Sequence, residues 1–116
     1  MREDVSRWQM KNKRKDINNL LTQKMIDNRM ILLYGEINQD LAKEVSSQLL
    51  LLEALSDDPI TIFINSQGGH VEAGDTIHDM IKYVKPEVRV IGTGWVASAG
   101  ITIYLAAKKR KSLQLA

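Results

Sequence analysis

What most constrains the fold of this chain is a thrice-repeated order: a short apolar run, a break, then apolar residues at helical spacing. Met30-Ile31-Leu32-Leu33-Tyr34 is a continuous apolar run ended by Gly35. A run of that kind suits a strand of a parallel sheet with both faces covered. Asn38 then caps a predicted helix with Leu41, Val45, Leu49 and Leu52 on one face, stopping before Asp57-Asp58-Pro59. The second run, Ile60-Thr61-Ile62-Phe63-Ile64, leads into Gln67-Gly68-Gly69 and a helix carrying Val71, Ile77, Met80, Ile81 and Val84 that ends before Pro86. A third strand is predicted over residues 88–91, followed by Gly92-Thr93-Gly94 and a short helix over residues 97–107. Repeated strand-then-helix order with short connections specifies an α/β layered fold with largely parallel strands.

The segment ahead of these units reads differently. Residues 1–15 are polar and basic, and from Asp16 the helical spacing of Ile17, Leu20, Leu21 and Met25 begins, with Asp16 as its expected N-cap. Arg2, Arg7, Lys11, Lys13, Arg14 and Lys15 make the arm basic, but Trp8 is its only aromatic residue, so a solvated arm is expected rather than a nucleic-acid site. The organisation read here is an arm and helix over 1–27, a core over 28–107 and a basic tail over 108–116. Cations at 108–111 suit the negative end of the last helix. With 116 residues the chain fits one small domain.

Several function classes drop out. The absence of cysteine excludes disulfides, thiolate metal sites and cysteine nucleophiles, and fits a reducing cytosol. A net charge of +2 is too small to argue for nucleic acid or membrane. The N-terminus lacks the apolar run of a secretory signal, and Met30–Tyr34 and residues 49–52 are far too short to span a bilayer. A cytoplasmic protein is expected. His70, Glu72 and Asp75 are the best metal-ligand set available, without diagnostic spacing, and no phosphate-binding loop is present. Neither metal nor cofactor is expected.

Two segments carry the chemistry. One is Ile64-Asn65-Ser66-Gln67-Gly68-Gly69-His70-Val71, a glycine pair directly after an apolar strand. The other is Gly92-Thr93-Gly94-Trp95-Val96-Ala97-Ser98-Ala99-Gly100, a serine among small residues between a strand and a helix. Alone, such a serine is most often a turn or cap residue, and a glycine pair is most often a tight turn. Together they place a hydroxyl where a strand's carboxyl end feeds a helix, with free backbone N–H groups near Gly68-Gly69 and at Ala99 able to bind a developing oxyanion.

These segments resemble the proteolytic subunit of the ATP-dependent Clp protease, whose members carry I-N-S-P-G-G-x-V and G-x-A-A-S-M-G. Gly35-Glu36-Ile37, Ala73-Gly74 and the stretch from Ile81 through Pro86 to Val88 also look like that family, over residues 28–107. Gln67 stands where the family usually has proline, and Ala99 where it has methionine. The resemblance implies a Clp/crotonase-like fold, C-terminally incomplete here, with Ser98 as nucleophile and Gly68 and Ala99 as oxyanion-hole residues. It implies stacked heptameric rings of like or mixed subunits, fed with unfolded protein by an AAA+ unfoldase. In the family the histidine and aspartate of the triad follow later in the chain, and residues 99–116 hold neither. A truncated product, or part of a longer one, is therefore expected, and by itself no working peptidase. His70 and His78 are the only histidines that a rescue of the base could use.

Two other readings share these residues. A non-catalytic subunit of a mixed ring fits Gln67 and Ala99. A signal-peptide-peptidase-A-like Ser/Lys enzyme fits Ala97-Ser98-Ala99-Gly100, although Lys108 and Lys109 lie on the same predicted helix and no membrane anchor is apparent. A crotonase-type acyl-CoA protein uses similar glycine oxyanion logic without needing Ser98.

Overall fold

The computed structural model describes residues 2–106 and 112–115. Strands β1 (Met30–Tyr34), β2 (Ile60–Ser66), β3 (Val88–Val96) and β4 (Ser112–Leu115) form one sheet in that spatial order. All three neighbouring pairs are parallel. Parallel neighbours need a crossover between them, and α2 (Gln39–Leu55) and α3 (Val71–Tyr83) supply the first two. The short α4 (Ala99–Tyr104) follows β3. The chain therefore has the α/β, parallel-strand architecture that its repeats predict.

The pleat decides which residues form the core. Register aligns Ile31 with Ile62 and Ile62 with Val90, then Leu33 with Ile64 and Ile64 with Gly92. These rows are buried in one cluster with Ala42, Val45, Leu49 and Leu52 of α2, Ala73, Ile77 and Ile81 of α3, and Ile103 of α4. The alternate row is open: Leu32 and Tyr34 are 50% and 51% exposed. The expectation that both faces of β1 are covered is therefore corrected. The helices that follow the strands bury one face, and the end of α1 (Arg2–Asp27) reaches the other only in part, where Met25 and Ile26 line a groove with Met30 and Leu32.

Local signals explain the element ends. The Asn38 side chain accepts a hydrogen bond from the Leu41 N–H at 2.9 Å, so α2 starts as read. Its far end is closed by Arg29, which donates to the carbonyls of Leu52 and Ser56, both at 2.9 Å, and of Asp58 at 3.0 Å. Arg29 itself has φ 54. Asp16 does not start a helix; it lies inside the 26-residue α1. Residues 2–27 contain neither Gly nor Pro and are rich in Arg and Lys, so nothing breaks the helix where the apolar spacing begins. Val71, one of the apolar residues assigned to the helix after the second strand, opens α3 and is 65% exposed. β3 runs on to Val96, beyond the predicted 88–91, and α4 begins at Ala99 rather than Ala97. Residues 112–115, read as tail, form β4 on the edge of β3. The basic run 108–111 lies outside the described residues.

Candidate active site

The two glycine- and serine-bearing segments meet at the carboxyl ends of β2 and β3. The register between these strands shifts after Ile64, so that Ser66 pairs with Val96. The Ala97 N–H donates to the Ser66 carbonyl at 3.1 Å, carrying the chain into the Ser98 turn. There Gly68 and Ser98 are in contact. A Cβ built on Gly68 would stand 2.6 Å from the Ser98 Cβ and 3.1 Å from its Oγ, and Gly68 has φ +103 besides. Only glycine satisfies both conditions. A Cβ on Gly69 would strike the Ile37 carbonyl oxygen. Ile37 N–H donates to Gly68 O at 2.9 Å, and His70 N–H donates to Ile37 O at 2.7 Å, clamping the glycine turn to the loop between β1 and α2.

Ser98 is exposed and adopts φ 52, ψ −124. A non-glycine residue there carries local strain of about 1–3 kcal/mol. A strained serine on a sharp strand-to-helix turn is the arrangement of a nucleophile elbow, which pushes the hydroxyl outward. Among the described residues no group hydrogen-bonds the Ser98 Oγ. The turn is closed behind it by Gly100 N–H to Ala97 O at 2.9 Å and Ile101 N–H to Ser98 O at 3.0 Å. α4 is seated on α3 through a bare contact, since a Cβ on Gly74 would lie 3.0 Å from the Ala99 Cβ.

The backbone N–H groups at this junction differ in their partners. The Ala99 N–H, one of the two expected donors, has no partner among the described residues. The other expected donor, Gly68, already gives its N–H to Ser66 Oγ at 3.0 Å in a buried position. The N–H of Gly69, the next residue along, has no partner among the described residues. Two adjacent glycines look alike in sequence; only the partner of each amide separates them. The strained φ of Ser98 had no signal in residue type either.

The histidines are not placed on the serine. His70 is the exposed N-cap of α3 and makes no side-chain capping bond. His78 Nδ1 lies 3.0 Å from Asp79 Oδ1. Neither hydrogen-bonds Ser98. Among the described residues no cluster of three or more His, Cys, Asp or Glu is placed to hold a metal ion, His70, Glu72 and Asp75 included. No described helix is long and apolar enough to cross a membrane.

Fold and site together define a crossover α/β protein with a serine elbow facing a glycine turn. The Clp protease family model matches residues 12–116, and the chain belongs to that family. It is 60% identical over 91 residues to "ATP-dependent Clp protease proteolytic subunit 3" of Rhizobium meliloti (strain 1021), covering 78% of this chain and 47% of that protein. Proteolytic subunit 2 of Gluconobacter oxydans (strain 621H) is 48% identical over 94 residues, 79% of this chain and 42% of the relative. The solved structure of ClpP1 from Listeria monocytogenes matches with a TM-score of 0.79 at 76% identity, covering 81% of this chain and 55% of that one. The chain spans about half the length of the curated relatives it matches.

Proposed function

We propose that this chain supplies the nucleophile and the oxyanion-binding turn of an ATP-dependent Clp-type serine endopeptidase acting on unfolded proteins and peptides. The observation that carries the reading is the exposed Ser98 hydroxyl on a strained turn against Gly68, with its Oγ and the N–H groups of Ala99 and Gly69 all unpartnered among the described residues. Ser98 Oγ attacks the peptide carbonyl carbon and forms an ester, a base takes its proton, and the amine leaves with that proton. The carbonyl oxygen, negative in the tetrahedral intermediate, receives hydrogen bonds from the two amides. Water then hydrolyses the ester. The naming of relatives as Clp proteolytic subunits supports the substrate class.

The base is neither His70 nor His78 in this reading, since neither hydrogen-bonds Ser98. Loss of the histidine from a serine triad costs on the order of 10⁶ in kcat in subtilisin. A polypeptide of these 116 residues alone is therefore expected not to cleave peptides at a useful rate. The working unit is a cytoplasmic assembly of stacked heptameric rings, of one or several kinds of subunit, served by an AAA+ unfoldase that spends the ATP.

Fluorophosphonate labelling tests this directly. The chain is labelled alone and mixed with a complete Clp proteolytic subunit whose own nucleophile is replaced by alanine, with Ser98→Ala as control. Labelling that requires Ser98 is expected in the mixture and not in the chain alone. Labelling of the chain alone moves the base to His70. No labelling in either setting overturns the catalytic reading. Co-assembly without labelling selects the non-catalytic subunit, which Gln67 and Ala99 favour.

A further inference from the structure

Ser66 stands out as a buried polar residue that the mechanism above leaves unused, at 2% exposure. A buried hydroxyl has to be satisfied, and this one is satisfied from two directions. Its Oγ donates to the Gly35 carbonyl at 2.5 Å and accepts from the Gly68 N–H at 3.0 Å. Its own carbonyl takes the Ala97 N–H at 3.1 Å, one residue before the serine elbow. Three segments therefore converge on one residue: the loop after β1, the glycine turn and the Ser98 turn.

The consequence lies in the orientation of two successive peptide planes. With its N–H held by Ser66 Oγ, Gly68 is turned inward. Its carbonyl, the other end of that residue, is held by the Ile37 N–H at 2.9 Å. In a trans peptide the C=O of Gly68 and the N–H of Gly69 point in opposite directions. Fixing the Gly68 carbonyl on Ile37 therefore aims the Gly69 N–H away from that loop.

We propose that Ser66 is a positioning residue whose hydroxyl holds the glycine turn so that Gly69, and not Gly68, offers its N–H to the substrate oxyanion. The proposal rests on the reading of Ser98 as nucleophile. Without the hydroxyl, the buried Gly68 N–H has no acceptor and the turn rotates to find one, carrying the Gly69 amide out of line. Transition-state stabilisation falls while the surface that first receives the ligand stays.

The test uses the labelling mixture, now followed over probe concentration so that the limiting rate and the half-saturating concentration separate. Ser66→Ala is expected to lower the limiting rate of Ser98 labelling about tenfold or more, with half-saturation within about twofold of the parent. Ser66→Thr, which keeps the hydroxyl, restores the rate. Hydrogen exchange across residues 66–70 is expected to speed up in Ser66→Ala and recover in Ser66→Thr. An unchanged limiting rate, a loss confined to half-saturation, or unaltered exchange overturns the proposal. Should Ser66→Ala fail to co-assemble, Ser66→Cys keeps the volume, weakens the hydrogen bonds and carries the same expectations. If the parent chain itself does not label, the nucleophile reading fails and takes the catalytic role of Ser66 with it, while exchange still reports whether the hydroxyl clamps the turn.

Discussion

The backbone of Ser98, at φ 52, occupies a region that glycine enters freely and other residues enter at a cost. Ser98→Gly is therefore expected to be more stable than Ser98→Ala by about 1 kcal/mol or more, read as a higher midpoint in thermal or denaturant unfolding. Equal midpoints would mean that the turn relaxes without strain. Gly68 makes the opposite case, because a β-carbon there meets the Ser98 side chain. Gly68→Ala is expected to cut Ser98 labelling about 100-fold by displacing the hydroxyl, and the melting curve shows whether the fold survives. The glycine pair and the serine were readable as residue types. The assignment of amides was not, since an N–H partner belongs to the folded turn and not to any single residue.

Elements reveal their ends through specific contacts, and some of these are distant in sequence. Arg29 closes α2 by donating to the Leu52, Ser56 and Asp58 carbonyls. Arg29→Met is expected to lower stability by about 1–3 kcal/mol, and Arg29→Lys to recover little of it, because an ammonium cannot span several carbonyls as a planar guanidinium does. Denaturant midpoints measure both. The contrast in legibility follows the same line. Met30–Tyr34 and β2 could be read because an apolar run between turn residues has few alternatives, and Asn38 because capping is local. β4 could not, because four residues after a basic run become a strand only when β3 offers an edge. Val71 carries an apolar side chain to the first, exposed turn of α3, where periodicity cannot tell inside from outside.

For the molecule as a whole, one face of the sheet is packed and the other shows Leu32 and Tyr34, while α1 shows Trp8, Leu20 and Leu21. Apolar surface of this kind drives association. The purified chain is expected to scatter light increasingly with concentration, and a charged substitution, Leu32→Glu, to reduce that. A monodisperse monomer in sedimentation velocity, with sharp reversible melting, would show the face to be tolerated by water.

The order of the sheet has a consequence in time. Strands that stand in space as they follow in the chain, β1-β2-β3-β4, never require a later strand to slip between two earlier ones. A ribosome delivering about 5–20 residues per second would present each strand–helix unit to an edge already laid down. Growth from one end then mirrors synthesis: β2 has its template once β1 is out, and Ser66, whose hydroxyl takes the Gly68 N–H, is in place before Ser98 has been made.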